Sequence, residues 1–310
     1  MGWNILLQGK NSEAIRYFEK SLAISLISGE KFQHVAVQSL SSMGASLTFL
    51  GEFEKAGKYH FQSLKWRRKF QGENHPGVGA CYNNIGEMYD LKGDSKEALE
   101  YYRKGLEIKM KSNAPVLSTV ISLCSMAKMR LSMRHFKEAR LLLDQGFKKL
   151  DEENLPPREA IACACDLKGM VLKQEGLFHD AEKMFRKAAD LRNEIAPNNI
   201  PYLESLAHLA EINKIQGKFT SSIKLVEKIL ELKENAIVTM PQTLVIVDTL
   251  QCIADIYVTK GDTQQHIETL KELQSELLRL ERVFLSQQND RDLNVVRQKL
   301  RQLEDKLRNM

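Results

Sequence analysis

The chain has 310 residues, 43% of them hydrophobic and 27% charged, with 45 basic against 40 acidic residues for a net charge of +5. No apolar run approaches the length a membrane helix needs, the longest fully aliphatic stretch being Leu244 to Val247, and so mild a basic surplus is not the concentrated charge of a dedicated nucleic-acid binder. Five scattered cysteines, Cys81, Cys124, Cys163, Cys165 and Cys252, form no CxxC pair, which argues against a disulfide framework and a zinc site and leaves a reduced, cytoplasmic protein as the expectation.

The predicted elements are helices in pairs. Glycines recur at Gly9, Gly51, Gly93, Gly176, Gly217 and Gly261, at spacings of 42, 42, 83, 41 and 44, the 83 being two periods with Arg134 in the vacant slot. Seven residues before these seven positions stand Gly2, Gly44, Gly86, Ala127, Gly169, Ala210 and Ala254; five after them stand Ala14, Ala56, Ala98, Ala139, Ala181, Ser222 and His266. A tight turn between antiparallel helices needs a residue that tolerates a left-handed backbone, and small side chains are needed where two helix axes come nearest. Apolar residues on both sides of each turn keep helical three- and four-residue steps, as in Ile85, Met88, Tyr89, Leu91 and then Ala98, Leu99, Tyr102, Leu106. All seven prolines fall between the second helix of one pair and the first of the next, where helices must stop.

In chain order the pairs occupy about 1–30, 34–72, 76–113, 117–154, 158–196, 200–236 and 242–275. The first begins in mid-helix by register, so Trp3, Ile5 and Leu6 are expected to be partly exposed unless another surface covers them. The opening MGWNILLQGKNS has no secretory pattern, and Leu6 stands where a myristoylation signal wants Ser or Thr. The second pair contains Gly57 inside a predicted helix and ends on "KWRRK", residues 65–69, whose cations suit a helix C-terminus; nuclear targeting or nucleic-acid contact is the competing reading of that run. The fourth pair, with Arg134 at the turn, is expected either to carry strain or to turn differently. After His266 a long helix continues, "SQQNDRD" interrupts it, and Leu293, Val296, Leu300, Leu303 and Leu307 follow at three- and four-residue steps. Residues 276–310 are therefore expected to form a cap on the stack or a short coiled coil, the latter opening a route to a homo-oligomer.

Ile85, Gly86 and Tyr89, then Gly93, Ala98 and Tyr102, resemble the tetratricopeptide repeat. A period near 42 is longer than that repeat's usual unit, and "GENHPGVGACYNNIGEMYDLKGDSKEALEYY", with His75-Pro76 and Asn83-Asn84, is similar to the kinesin-light-chain type. "MGASLTFLGEFEKAGKYH" is nearer to the G-protein-signalling-modulator type. The resemblance implies an all-α, right-handed superhelix of about seven helix pairs, with a concave groove lined by the first helix of each pair.

Enzyme signatures are absent: there is no HExxH, GxSxG, Walker A or dinucleotide fingerprint, and "HPGVGACY" lacks the glycine spacing of a phosphate loop. No catalytic residue, cofactor or metal is expected. The inward positions of the first helices include Ser41, Ser42, Asn83, Asn84, Glu87, Asp90, Lys128, Asp166, Lys173, His208, Glu211, Lys214, Asp248, Gln251 and Asp255. Asparagine offers both donor and acceptor to the backbone of an extended peptide, and a solvated polar face is the plain alternative. Acids outnumber bases here, so a protein or peptide ligand that is neutral or cationic fits better than an acidic one. The expected function is a non-enzymatic scaffold or adaptor, with a kinesin-light-chain-like cargo adaptor and a helical-repeat nucleic-acid binder as alternatives.

Overall fold

The computed structural model describes residues 11–27, 32–112, 114–152, 159–197, 199–235, 243–286 and 290–308. Among these are fourteen helices and no strand. They are α1 (Asn11–Ile27), α2 (Gln33–Phe49), α3 (Phe53–Gln71), α4 (Pro76–Lys92), α5 (Ser95–Lys111), α6 (Val116–Ser132), α7 (Phe136–Asp151), α8 (Glu159–Gln174), α9 (Phe178–Ile195), α10 (Ile200–Ile215), α11 (Phe219–Asn235), α12 (Thr243–Lys260), α13 (Thr263–Ser286) and α14 (Asp290–Arg308). The expected first helix of the first pair lies outside the described residues.

The chain divides into two compact units, Met1–Leu155 and Pro156–Met310. In the first, α1 packs on α2, and the pairs α2/α3, α4/α5 and α6/α7 stack in order. In the second, the pairs α8/α9, α10/α11 and α12/α13 do the same, and α14 packs on α13.

Each pair whose turn lies among the described residues turns the same way. The N–H of Gly93 bonds Asp90 O and that of Asp94 bonds Tyr89 O, the paired bonds that satisfy the last carbonyls of α4. The same two bonds recur at Gly51, Gly176, Gly217 and Gly261, all with φ between 72 and 78°. Arg134 does not change the turn, as one of the two expectations had it: its φ is 62°, and its N–H and that of His135 bond Leu131 O and Arg130 O in the same pattern. The strained alternative is the one realised, because the flanking helices over-determine the turn. New helices start on local caps: His75 Nδ1 accepts from Gly77 N at 3.0 Å beside Pro76, and Asn199 Oδ1 accepts from Tyr202 N at 2.9 Å.

Close packing inside a pair follows a size rule. The small residue seven before the turn faces the residue nine after it. Gly44 faces His60, Gly86 faces Tyr102 and Gly169 faces Phe185; a Cβ on any of these glycines would fall 2.6–2.8 Å from the opposing ring. Where the small residue is Ala127, Ala210 or Ala254, the residue at the facing register is Leu143, Val226 or Leu270, each buried. Ring against glycine and aliphatic against alanine keep the summed volume near constant, as a close-packed interior requires. His60, 2% exposed with only Thr48 Oγ1 near its Nε2 at 3.2 Å, has its pKa pushed down to about 4 by burial.

Residues Leu293, Val296, Leu300 and Leu303 of α14 are buried against Leu270, Leu273, Leu277 and Leu280 of α13. The stripe expected for a cap or a coiled coil is thus packed within the chain against α13. Arg297 reaches back to Glu281 at 2.7 Å, so α14 runs antiparallel to α13, in the direction of a further first helix.

Candidate functional site

The candidate residues fall into three groups that adjacent sequence positions do not reveal. The first group is buried. Asn83 is 8% exposed, and its Nδ2 donates to Ser122 Oγ at 2.8 Å. The same oxygen accepts from Lys109 Nζ at 2.8 Å, and Lys109 also donates to Ser118 O at 3.0 Å. Asp166 is 6% exposed; it takes Arg192 and the hydroxyl of Ser205, and Arg192 also donates to Pro201 O and to Glu159 Oε1 at 2.9 Å. These are two copies of one clasp. Asn83 and Asp166, Lys109 and Arg192, Ser118 and Pro201, and Ser122 and Ser205 are each 83 positions apart. In each copy a cation late in a second helix crosses to the first helix of the following pair. Asn83 and Asp166 therefore join helix pairs and do not line an open face, which corrects the sequence-based expectation: an inward-pointing register near a pair-to-pair seam is covered by the next helix.

The clasps differ in one respect. Arg192 meets carboxylates, whereas Lys109, 4% exposed, meets only neutral oxygens, and burial pushes its pKa down to about 8. Gly79 and Gly105 make room for it, since a Cβ on either would fall 2.8 Å from the carbonyl oxygen of the other.

The second group neutralises itself. Lys128 lies 3.4 Å from Asp90, Lys173 lies 2.8 Å from Glu211 and Lys214 lies 3.0 Å from Asp255. Each rung joins a position four residues after the small residue, that is three before the turn, to a position six before the turn in the next pair. Gln251 also donates to Asp255 at 2.9 Å. The expected acidic excess is largely cancelled along this face. The side chain of Asp248 lies outside the described residues.

The third group stays open. Asn84 is half-buried and has no side-chain hydrogen bond among the described residues. Glu87, one turn further along α4, is accessible to water yet crowded enough that desolvation pushes its pKa up, with Lys128 opposing and Asp90 adding to the rise. Glu204 on α10 shows the same combination, its pKa raised by desolvation against Arg192 and His208. His208, four residues on, packs its ring on Phe185 at 5.0 Å and holds Nδ1 3.8 Å from Asp166. The sequence reading missed Glu204, although its spacing of four from His208 on one helix was the available signal. Ser41 and Ser42 are buried, Ser41 bonding Ser63 at 2.7 Å and Ser42 bonding Gln38 O at 2.9 Å.

The basic run 65–69 is dispersed. Arg68 stands over the Tyr82 ring at 5.9 Å, Lys69 over Phe70 at 5.4 Å, and Trp66 packs edge-on to Phe70. Among the described residues no group of three or more His, Cys, Asp or Glu could hold a metal, no disulfide joins the cysteines, and no helix is long and apolar enough to cross a membrane.

Comparison with known proteins matches this geometry. Family models described as tetratricopeptide repeat match residues 35–111 and 164–195. Protein KINESIN LIGHT CHAIN-RELATED 3 of Arabidopsis thaliana is 25% identical over 150 residues, which are 48% of this chain and 23% of that protein, so the chain spans less than a quarter of this relative's length. Among solved structures, BtubC (BKLC) from P. vanneervenii has a TM-score of 0.62 at 15% identity, over 74% of this chain and 94% of that one. The apo quorum sensor NprR from B. thuringiensis has a TM-score of 0.64 at 12% identity, over 98% and 85%. A Rap protein in complex with competence and sporulation factor has a TM-score of 0.58 at 15% identity, over 96% and 81%. At these identities the structural likeness is one of fold.

Proposed function

Because the chain carries tetratricopeptide repeats resembling those of kinesin light chains, we propose that it is a non-enzymatic interaction scaffold holding a peptide or partner segment on the first-helix face of its pairs. The observation that supports this reading is the pair Asn84 and Glu87, water-accessible and, among the described residues, in no side-chain hydrogen bond or ion pair, where neighbouring charges are tied into rungs. Ile121, 48% exposed and seven positions before Lys128 on α6, adds an apolar anchor on the same side. An amide that can both donate and accept, a single desolvated carboxylate and an aliphatic anchor suit a segment with one basic side chain.

Peptide selection from a random phage-displayed library tests the proposal. The wild-type chain should enrich sequences with a basic residue at a fixed position, and the Asn84→Ala/Glu87→Lys double variant should lose them. Enrichment of the same sequences by both proteins, or of none by the wild type, refutes it.

A kinesin-light-chain-like cargo adaptor is the second reading, favoured by the plant relative. Co-precipitation of kinesin heavy chain with the longest product of the gene decides between them, since a generic scaffold has no such partner.

A further inference from the structure

The rungs of the second unit break off at the last junction. Lys173 and Lys214 each stand three before their turn glycine and reach a carboxylate on the next first helix, Glu211 and Asp255. The residue at that register in the next pair is Val258, 58% exposed. Beyond it lies a cavity of about 700 Å³ between the end of α12, the start of α13 and the C-terminal half of α14. Asp255 and Val258 of α12 and Asp305 of α14 line it, and most of the lining surface is carbon. His266 also lines it, its Nδ1 held 2.9 Å from Ala254 O, in a register where six earlier pairs carry Ala or Ser.

The geometry points to this cavity as a receptor for one basic side chain, arginine or lysine, of a bound peptide. The chain's own earlier junctions show what such a space takes: a long aliphatic stem ending in a cation that meets a carboxylate on the facing helix. Here the acid, Asp305, is present and the cation is not, because valine replaces lysine. Asp255 is already held by Lys214 and Gln251, so Asp305 is the carboxylate left to the site; a carbon-rich passage ending at it suits a side chain that buries its methylenes and keeps its charge at the edge, and a guanidinium can make two parallel hydrogen bonds to one carboxylate. Lys306 also lines the cavity and is the competing charge within the chain. The inference extends the peptide-binding reading but uses none of the residues that carry it.

Methyl NMR of Val258 in the full chain, titrated with N-acetylarginine methylamide, reads the site directly. The arginine probe should shift the Val258 methyls saturably, whereas N-acetylcitrulline methylamide and N-acetylglutamate methylamide should not. Asp305→Asn should weaken the arginine response several-fold and Lys306→Ala should strengthen it. For Val258→Lys, which supplies the missing rung from within, occupancy is read at labelled Thr263, whose signal should no longer respond. Equal responses to arginine and citrulline, a preference for glutamate, or a weakened response in Lys306→Ala overturns the inference. Asn84→Ala/Glu87→Lys should leave the titration unchanged, so failure here and failure of the scaffold reading are separable.

Discussion

Replacing Asn83 by Asp should convert the first clasp into the chemistry of the second and return the pKa of Lys109 toward its ordinary value. Asn83 Nδ2 and Lys109 Nζ each lie 2.8 Å from Ser122 Oγ; that bounds their separation at roughly 5.6 Å, where two unit charges at an effective dielectric of 20 attract by about 3 kcal/mol, or about two pK units. The lysine, now pushed down to about 8 by burial, should therefore titrate near its ordinary value. Stability carries the signature. With a folded-state pKa below the unfolded one, the unfolded chain binds more protons between about 8 and 10.5, so wild-type stability rises with pH through that window. In Asn83→Asp the rise should largely vanish, and in Lys109→Met it should vanish altogether. Urea denaturation from pH 7.5 to 10, with carbon-13 NMR of the Lys109 Cε as the site-specific readout, measures both. An Asn83→Asp protein that folds but leaves the Lys109 titration unmoved would refute the claim that the missing carboxylate is what separates the two clasps.

Arg134→Gly should raise the stability of the first unit by about 0.5–1 kcal/mol, the left-handed penalty of a non-glycine residue less the extra freedom glycine has when unfolded; a lower denaturation midpoint would show that the exposed arginine does something else. His60 is buried neutral with its pKa near 4, so the unfolded state binds more protons between about 4 and 6.5 and stability falls as pH drops through that window, by up to about 3 kcal/mol. His60→Phe, which places at Gly44 the ring that Gly169 already meets, should flatten that acid-side loss; Thr48 keeps its bond to Gly44 O at 2.9 Å. Denaturation at pH 7 and 4.5 checks it, and an equal loss in both proteins counts against His60 as the cause.

What could be read from the sequence was what local sterics impose at short range. A turn that needs φ > 0 and a helix contact that needs a small residue leave the same mark in every pair, so Gly93, Gly86 and Ala98 locate themselves. The neighbours Asn83 and Asn84 could not be told apart in this way: a helix turns about 100° per residue, and that single step decides whether a side chain meets the next pair or open space. The rungs were hidden for a related reason, since Lys173 and Glu211 are 38 positions apart and meet only through the offset between stacked pairs. Yet the clasps had left a trace. Asn83, Lys109 and Ser122 repeat as Asp166, Arg192 and Ser205 at a constant 83, and a coupled change of amide to carboxylate with lysine to arginine is what a shared contact leaves behind.

The division of labour among these polar groups bears on what the face can recognise. The rungs are accessible, with Lys128 65% and Asp255 45% exposed, and exposed ion pairs contribute at most about 1 kcal/mol each. They set the offset between successive first helices weakly and mask charge on the face effectively. The clasps are buried, and there an unmatched partner costs several kcal/mol, so stacking within each unit leans on them and on the apolar seams. On the scaffold proposed above, a ligand on the first-helix face of the first unit meets little unpaired charge apart from Glu87, with Asn84 and Ile121 as uncharged contacts, and Glu204 is the corresponding open carboxylate of the second unit. That is why a count of acids and bases along the face overstates its field: residues that share a face also share partners, and only those whose register finds no opposite charge in the next pair remain to meet another molecule.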